Sequence, residues 1–588
     1  MIKVEKMSYS FPDKDLYNEI SFSIEEGQHA VLIGSNGTGK TTLADLLLHT
    51  ENYLYEGKIS KDATLRMGYV SQFVKHDKET AQTVFDYLSQ DFVQMQKEQE
   101  EICAQMETAE DFDAVYGRYQ ESLDLFDAVD GYNYETNIHQ RLKVAGLTGL
   151  TDLPVAAISG GEFKLIQVIR QMLLAPGLLI MDEPDVFLDF ENLEGLRRLI
   201  NSHKGTLLVI THNRYLLNHC FDKVLHLENG DLQEFDGNYA EYNLSLLTMK
   251  IEMQEAAVKE AEWIEIQERF VEKLRAEATR ITNPAKGRLL KGRASYLERL
   301  KKTRTKAPFV DIRRPKILLP DIPEEAQSQA EWLLKLDDYG ITFEKPLLSD
   351  VSFTIGPKDK VAIVGANGTG KTTMLREIWK NCMAEAKNPA ISLDQSAKVG
   401  FLSQMYGDML HEESSIFEEM EAFGFDTEKQ VREFLTDYCF DGVSLKKQVG
   451  VLSGGEKNLL QLAEISLGDA NLLILDEPTS HLDTWSQIAL EEAIEKYQGA
   501  VLMVSHDFYT VTDCADYILY VENGTIRQMS GRAFRKLIYR DHFDKEYLEL
   551  EQRKKELELK VESLLAASKY EDARKVCSQL EEVVEKLS

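Results

Sequence analysis

Cysteine is scarce in this sequence of 588 residues, and no two cysteines form a Cys-x-x-Cys pair. The six cysteines are scattered at positions Cys103, Cys220, Cys382, Cys439, Cys514 and Cys577. Zinc sites, iron–sulfur clusters and the disulfide frameworks of small secreted domains need closely spaced or paired cysteines. The scatter argues against all three and fits a reducing compartment, so we expect a cytoplasmic protein.

Long apolar runs are also missing. The longest, such as Leu178 to Met181 with its neighbours, fall far short of the roughly 20 residues that a membrane-spanning helix needs. The amino-terminal segment Met1–Ser8 mixes acidic and basic residues and lacks the apolar core of a signal peptide. We therefore expect a soluble chain with no membrane domain and no export signal.

Positive charge is in short supply overall, with 67 Lys and Arg against 99 Asp and Glu and a formal net charge of −32. Such an excess of acid disfavours general binding to nucleic acid, because phosphate binding depends on clustered Lys and Arg. Residues 269–316 are the exception, with 16 basic and 4 acidic residues. This segment carries +12, and the rest of the chain therefore carries −44.

The chain does contain an internal repeat. The segment Gly34–Thr42 reads GSNGTGKTT, and Gly365–Thr373 reads GANGTGKTT at an offset of 331 residues. Four more matched pairs follow in the same order in both halves: Gln72 with Gln404, Ser159–Glu162 with Ser453–Glu456, Asp182-Glu183 with Asp476-Glu477, and His212 with His506. Repetition of this kind indicates two related domains in one chain.

The offset between matched pairs falls from 332 to 294 residues, so the first half carries 38 extra residues between Gln72 and Ser159. Part of this insert, about 90–130, has helix-favouring composition and no proline, which predicts an enlarged helical subdomain. A plain spacer is the alternative. We predict four regions along the chain: a first domain at 1–240, a basic helical hairpin at 241–320, a second domain at 321–540 and a helical extension at 541–588.

Each glycine-rich segment follows a short apolar run, Ala30–Ile33 or Val361–Val364. A buried strand, a glycine loop and a helix form the α/β pattern. In G-x-x-x-x-G-K-T, backbone N–H groups wrap phosphates while the lysine contacts the β and γ phosphates. The predicted nucleotide-binding residues are Gly34, Ser35, Asn36, Gly37, Thr38, Gly39, Lys40, Thr41 and Thr42, with Gly365, Ala366, Asn367, Gly368, Thr369, Gly370, Lys371, Thr372 and Thr373.

Two acidic pairs end apolar runs in the same relation to the glycine loops. We predict that Asp182 and Asp476 hold Mg²⁺ through water, and that Glu183 and Glu477 polarise the water that attacks the γ-phosphate. The predicted metal set is completed by Thr41, Thr372, Gln72 and Gln404.

Two histidines and two phenylalanines complete the predicted site residues. His212 and His506 each follow an apolar strand, where a neutral imidazole can bond the γ-phosphate or orient water. Phe11 and Phe343, upstream of each loop, either stack on adenine or belong to the core.

With the two Ser-Gly-Gly-Glu segments, these motifs resemble the ATP-binding cassette superfamily across nearly all of both halves. The resemblance implies two P-loop NTPase cassettes that face head to tail, so that Ser453, Gly454, Gly455 and Glu456 close on nucleotide held by the first cassette. Ser159, Gly160, Gly161 and Glu162 would close on nucleotide held by the second. It also implies hydrolysis of ATP to ADP and phosphate at two composite sites, in a monomer whose cassettes pair intramolecularly.

The two halves differ after the acidic pairs. The second reads Pro478-Thr-Ser-His-Leu-Asp483, the usual family pattern, whereas the first reads Pro184-Asp-Val-Phe-Leu-Asp189. His212 is flanked by Thr and Asn, and His506 by Ser and Asp. Equal turnover at the two sites is therefore an open question.

Tandem cassettes without a membrane domain resemble the ABC-F subfamily, whose members act on the ribosome. The resemblance implies a body in the ribosomal E site, a hairpin that reaches toward P-site tRNA, and contacts to rRNA. ATP would close the cassettes for ribosome binding, and hydrolysis would release them. The predicted RNA-binding residues are Arg280, Lys286, Arg288, Lys291, Arg293, Arg299, Lys301, Lys302 and Arg304.

Several alternatives stay open at this point. The hairpin can be a solvated spacer, and the chain can be a fused ATPase subunit that energises a separate membrane transporter. A structural or DNA-repair ATPase fits less well, because it would need zinc cysteines or a longer coiled coil. Within the ABC-F type, regulation of translation and antibiotic resistance are both compatible with the sequence. For the C-terminal helices, packing or self-association competes with a ligand role.

Overall fold

A computed structural model describes residues 2–11, 14–62, 65–72, 81–106, 111–280, 284–302, 314–322, 330–342, 346–383, 387–440, 445–538 and 545–587. The chain divides into two compact units. One comprises Met1–Glu234 with Arg313–Arg540 and holds both cassettes; the other comprises Phe235–Ile312 with Asp541–Ser588.

The first cassette has two sheets. A three-stranded antiparallel sheet consists, in spatial order, of Lys14–Ile24, Ile2–Phe11 and Glu56–Lys61. A six-stranded sheet has the spatial order Met67–Val70, Leu178–Asp182, Thr206–Ile210, His29–Ile33, Lys223–Glu228 and Asp231–Asp236. Its first five strands run parallel. Leu178–Asp182 and Thr206–Ile210 are buried at every position, as near-continuous apolar strands of a parallel sheet are.

The helices of the first cassette include two in the insert, Val84–Met106 and Phe112–Ala128, which pack against each other. The other helices are Lys40–Leu48, Tyr134–Ala145, Gly160–Leu173, Phe190–Ser202 and Arg214–His219. Short 3-10 turns occur at Thr50–Asn52, Gly131–Asn133, Thr148–Leu150 and Val155–Ala157. The helices Val84–Met106 and Phe112–Ala128 thus cover most of the described part of 90–130.

The second cassette repeats this plan. Its small sheet has the order Pro346–Ile355, Leu334–Thr342, Ile391–Leu393, and its large sheet has the order Val399–Leu402, Leu472–Asp476, Ala500–Val504, Lys360–Gly365, Tyr517–Glu522, Thr525–Met529. Its helices are Lys371–Cys382, Ile416–Glu421, Glu428–Leu435, Gly454–Ser466, Thr484–Lys496, Phe508–Cys514 and Gly531–Ile538. Short 3-10 turns occur at Tyr406–Asp408, Thr436–Tyr438 and Val449–Val451.

The other unit is entirely helical where it is described, apart from the end of the strand Asp231–Asp236. Its helices are Tyr239–Arg280, Pro284–Lys302, Lys545–Ala566 and Tyr570–Leu587. Ile251 packs with Leu557, Val561, Leu580 and Val584 in a buried cluster. The hairpin and the C-terminal helices, which the sequence suggested as separate regions, thus share one core.

These elements confirm the predicted fold class: two α/β cassettes of the P-loop type, a long helical hairpin between them and C-terminal helices. None of the described helices is both long enough and apolar enough to cross a membrane.

Candidate nucleotide-binding sites

Each glycine loop joins a buried central strand to a helix that begins at the lysine. Gly39 and Gly370, at φ 98° and 91°, precede Lys40 and Lys371 in the left-handed region that glycine adopts without strain. The Lys40 ammonium donates to the carbonyls of Gly34 and Ser35 at 2.9 and 3.0 Å. The Lys371 ammonium does the same with Gly365 and Ala366, both at 2.8 Å. Each lysine is thereby buried and held within its own loop.

Each Ser-Gly-Gly-Glu segment begins a helix through a capping box. The Glu162 N–H donates to the Ser159 hydroxyl at 3.2 Å, and the Ser159 N–H donates to the Glu162 carboxylate at 2.7 Å. Ser453 and Glu456 form the same reciprocal pair. The box explains why serine and glutamate stand three residues apart. The glycines between them lie in the first turn of the helix, where unpaired N–H groups favour anions.

The two cassettes meet head to tail at these motifs. A Cβ atom on Gly455 would lie 2.1 Å from the Asn36 side chain, so the second signature abuts the first glycine loop. Gly161 likewise lies beside Asn367, and a Cβ atom on it would lie 3.2 Å from the Asn367 side chain. Each glycine loop is thus apposed to the signature of the opposite cassette. We name the pairing of the first loop with the second signature site one, and the converse site two.

A carboxylate from each partner cassette reinforces this contact. Asp483 accepts the Asn36 N–H at 3.1 Å and the Ser486 N–H at 2.8 Å, so it caps its own helix and binds the opposite loop. Asp189 accepts the Asn367 N–H at 2.9 Å and caps the helix Phe190–Ser202. The sequence analysis did not single out these two aspartates. Their position just before a helix predicts the N-cap role, but nothing local predicts the contact with the opposite loop.

The acidic pairs lie at the carboxyl ends of buried strands next to the glycine loops. The Thr372 hydroxyl donates to Asp476 at 3.1 Å, and Asp182 forms a hydrogen bond with Thr41. Oδ1 of Asp182 is buried without a hydrogen-bond partner. Mg²⁺ prefers oxygen ligands. The threonine hydroxyl and the carboxylate oxygens beside it are ligands of that kind. These residues fit the metal.

Glu183 and Glu477 both adopt left-handed backbone conformations, with φ of 44° and 50°. Non-glycine residues in this region carry strain that is common at functional sites. The backbone N–H of Glu183 donates to the Ile210 carbonyl at 2.8 Å. The backbone N–H of Glu477 donates to the Val504 carbonyl at 2.9 Å. The same strained conformation therefore occurs in both cassettes. In each, a hydrogen bond to the last residue of the strand that leads to the histidine holds it in place.

The two glutamates differ in electrostatic setting. Burial raises the pKa of Glu477 to about 8, and the neighbouring Asp476 carboxylate adds to the rise. Burial also acts to raise the pKa of Glu183, but His481, His212 and Lys40 together outweigh it, so the pKa lies below its ordinary value. The Gln72 amide donates to Glu183 Oε2 at 2.5 Å.

Both predicted histidines are buried beside the glutamates. Burial lowers the pKa of His212 to about 4 and that of His506 to about 3, and the nearby lysines add to the effect. The imidazoles are therefore neutral at physiological pH. Nε2 of His212 and Nδ1 of His506 are buried without a hydrogen-bond partner, which leaves each able to bind a further group.

A cavity of about 530 Å³ occupies site two. Its walls include the second glycine loop, the first signature glycines, Gln404, Glu477 and His506, and it extends to Glu183, His212 and His481. A concave space with converging polar groups is the form expected of a ligand site.

An ion-pair cluster between the cassettes was also missed by the sequence analysis. Arg214, two residues beyond His212, bonds Glu491 and contacts Asp507 at 3.0 Å. Its guanidinium lies 4.7 Å from the centre of the Tyr509 ring. All its carboxylate partners belong to the other cassette, so no local sequence pattern signals it.

The remaining predicted residues fall in different places. Phe11 is 42% exposed at the end of its strand, whereas Phe343 lies outside the described residues. Lys291, Arg293 and Arg299 are exposed on the helix Pro284–Lys302. Arg304 lies outside the described part of the chain, as do the side chains of Arg280, Lys286, Arg288, Lys301 and Lys302.

Two glycine loops, each apposed to a signature helix of the opposite cassette, define a P-loop nucleotide-binding protein with paired cassettes. A family model described as "ABC transporter" matches residues 17–186 and 348–480, just over half of the chain. The chain belongs to the ATP-binding cassette family, and its cassettes therefore imply binding and hydrolysis of ATP.

Two relatives match most of the chain. The putative ATP-binding protein YdiF of Bacillus subtilis is 29% identical over 90% of this chain and 81% of its own length. The energy-dependent translational throttle protein EttA of Escherichia coli K12 is 28% identical over 88% of this chain and 92% of its own. These similarities confirm the ABC-F type resemblance.

A solved structure has the same general fold. The archaeal ribosome recycling factor aABCE1, in complex with ribosomal stalk protein aP1, gives a TM-score of 0.56 at 16% identity, covering 91% of this chain and 92% of that one.

Proposed function

We propose that the protein hydrolyses ATP at two composite sites and uses ATP-driven closure of its cassettes to regulate its binding to the ribosome. The carrying observation is the reciprocal contact of Asn36 with the second cassette and of Asn367 with the first. A nucleotide between each loop and the facing signature would bind the closed arrangement preferentially. Differential binding of that kind is what a ligand-driven switch requires.

In this proposal the residues divide the work as the motifs predict. Lys40 and Lys371 bind the phosphates, and the signature serines and glycines bind them from the opposite side. Glu183, and Glu477 in its ionised form, accept the proton of the attacking water, while the neutral His212 and His506 orient the γ-phosphate or the water. Mg²⁺, held by Thr41, Asp182 and Gln72 or by Thr372, Asp476 and Gln404, supplies charge neutralisation when bound.

The ribosomal role is supported by charge and by one relative. The body of the chain is strongly acidic, yet residues 269–316 carry +12, and Lys291, Arg293 and Arg299 are exposed there. Clustered exposed cations on a helix suit an RNA backbone. EttA, named as a translational throttle, is similar over most of both chains. We propose E-site binding with the hairpin directed at P-site tRNA, in the cytoplasm.

The test uses a Glu183→Gln, Glu477→Gln double variant, which should bind ATP without hydrolysing it. With ATP, this variant is expected to comigrate with ribosomes on a sucrose gradient at moderate salt, and to leave them at high salt because ion release drives phosphate binding. Changing Lys291, Arg293 and Arg299 to Glu in the same background should abolish comigration. Changing the exposed cassette lysines Lys97, Lys143 and Lys496 to Glu alters the total charge equally and serves as the control.

Two outcomes would contradict the proposal. If the double variant stays at the top of the gradient with ATP, the ribosomal role fails while the ATP sites stand. If it pellets with membranes, the transporter ATPase alternative replaces it. Separately, purified wild-type protein that releases no phosphate from ATP would contradict hydrolysis itself.

A further inference from the structure

The loops that follow the two acidic pairs differ at one central side chain. We name Pro184–Asp189 the first interface loop and Pro478–Asp483 the second. Phe187 and His481 occupy the same position in them, 294 residues apart. Both have left-handed backbones, with φ of 66° and 60°. The Phe187 carbonyl accepts from the Asn367 amide at 2.7 Å, and the His481 carbonyl accepts from the Asn36 amide at 2.8 Å. The backbones are therefore matched, and the difference is confined to the side chains.

The His481 ring is held close to the glutamate of site one. Its Nδ1 lies 3.9 Å from Glu183 Oε2, although the two residues belong to different cassettes. A Cβ on Gly454 would lie 2.8 Å from the ring, and the Phe187 ring meets it edge to face at 5.9 Å. The signature glycine and Phe187 thus restrict the imidazole from two sides. Only 13% of the His481 side chain is exposed.

Site two has no corresponding polar group. The Phe187 side chain carries no hydrogen-bonding atom, and the residue is 49% exposed. Glu477 Oε2 accepts the backbone N–H of His506 at 3.2 Å. Its Oε1 is buried without a hydrogen-bond partner and lies 3.6 Å from Nε2 of His506, a residue of the same cassette. The Glu183 carboxylate, in contrast, accepts from Gln72 at 2.5 Å and faces His481. One glutamate is oriented by side chains from both cassettes, and the other is not.

We infer that His481 is a positioning residue that orients Glu183 across the cassette interface, and that site one therefore hydrolyses ATP faster than site two. The inference rests on the proposed ATPase function. In the step concerned, water oxygen forms a bond to the γ-phosphorus, the bond from that phosphorus to the ADP oxygen breaks, and the water proton passes to the Glu183 carboxylate. A base acts efficiently when it is held within reach of that proton, and distances that are long without substrate tighten on binding.

The test isolates each site. Glu477→Gln leaves site one as the working site, and Glu183→Gln leaves site two. We expect kcat for ATP hydrolysis to be several-fold higher in the Glu477→Gln protein. In that background His481→Phe should lower kcat about tenfold with KM within about twofold, since orientation and not ground-state binding is lost. His481→Gln, which keeps a donor, should restore part of kcat.

The reciprocal change guards against misfolding as an explanation. Phe187→His in the Glu183→Gln background should raise kcat of site two several-fold, which damage to the fold would not do. His411→Phe and Phe112→His make the same chemical changes at exposed positions of the two cassettes and serve as matched controls.

Each alternative result has a defined meaning. Equal kcat values in the two single-glutamate variants, loss of turnover in both, or an effect of His481→Phe on KM alone would overturn the inference. A Phe187→His protein no faster than the Phe112→His control would also contradict it. Absence of hydrolysis in the wild-type protein would instead overturn the proposed function, so the two failures are distinguishable.

Discussion

At the scale of single residues, the two signatures leave different amounts of room. A Cβ on Gly455 would lie 2.1 Å from the Asn36 amide nitrogen and 2.5 Å from the His481 carbonyl oxygen. These two atoms are hydrogen-bonded to each other at 2.8 Å, so a methyl group there would disrupt the contact between cassettes. Around Gly161 the nearest atoms would lie 3.2 to 3.3 Å away, and a shift of a few tenths of an ångström would accommodate the methyl group.

We therefore predict that Gly455→Ala lowers kcat of site one by at least about tenfold, while Gly161→Ala lowers kcat of site two by less. The measurement is ATP turnover in the Glu477→Gln and Glu183→Gln backgrounds, with circular dichroism to check the fold. If the two alanine variants lose kcat equally, the tighter contact at Gly455 does not affect turnover and the prediction is wrong.

Glu464 provides a pH-dependent prediction. It lies buried on the signature helix Gly454–Ser466, and its Oε1 has no hydrogen-bond partner. Burial, with a contribution from Glu419, raises the pKa of Glu464 to about 8. The corresponding residue of the first cassette, Arg170, pairs with Asp91. In the unfolded chain the carboxyl ionises near 4.5, so between about pH 4.5 and 8 the folded state retains a proton that the unfolded state has released.

Folded-state stability should consequently fall as pH rises through that window, by up to about 1.4 kcal/mol per pH unit from this group. We expect Glu464→Gln to unfold at a higher temperature than wild type at pH 8.5, with a smaller difference at pH 6. Thermal denaturation at both values measures this, and Glu433→Gln, at a largely exposed glutamate, is the control. A Glu464→Gln shift that is the same at both pH values would contradict the assigned titration.

The site residues that could be predicted from the sequence belong to short motifs next to the end of a strand or helix. Lys40, Asp182, Glu183 and their counterparts in the second cassette are of this kind. His481 and Asp483 are different, since their partner Asn36 is about 445 residues away in the chain. Side chains that act across an interface leave no spacing signal in the sequence, and only the structure brings them to the site.

At the scale of elements, the C-terminal helices belong to the same core as the hairpin. Leu580 and Val561 are fully buried and pack with Ile251 of the helix Tyr239–Arg280, and Arg574 pairs with Glu255 of that helix. Leucine spacing predicted these helices, but a leucine-rich helix pairs equally well with a copy of itself. Their packing partner could not be read from the pattern, because it lies some 300 residues earlier.

We predict that Leu580→Ala destabilises this helical unit by about 2 to 5 kcal/mol, because it leaves a cavity in a buried cluster. Leu559→Ala is the matched control, since Leu559 on the C-terminal helix Lys545–Ala566 is 45% exposed and its loss should cost under about 1 kcal/mol. Limited proteolysis should show faster cleavage within 239–302 for Leu580→Ala alone. Equal cleavage in the two variants would mean that the C-terminal helices do not stabilise the hairpin.

At the scale of the whole molecule, the pairing of the cassettes is not symmetric. Arg214 bonds Glu491 and Asp507 on one side. The equivalent position in the second cassette is Phe508, which stacks with Phe534, and Phe534 in turn packs against Phe190 of the first cassette. The repeat in the sequence predicts two equal halves, but these paired positions have diverged. An ionic contact on one side and an aromatic one on the other fix the cassettes in one relative register.

The ion pair should be costly to break, because its carboxylates are only 6% and 9% exposed. Arg214→Ala leaves both buried without their cation, which should destabilise the paired cassettes by about 3 to 5 kcal/mol. We expect a lower Tm and lower kcat at both sites, measured by thermal denaturation and by turnover in the single-glutamate backgrounds. Adding Glu491→Gln to Arg214→Ala should recover part of the lost Tm, because it removes one uncompensated charge.

Arg553→Ala breaks an exposed pair with Glu556 and should change Tm little. If Arg214→Ala behaves like Arg553→Ala, the aromatic contact alone holds the cassettes together.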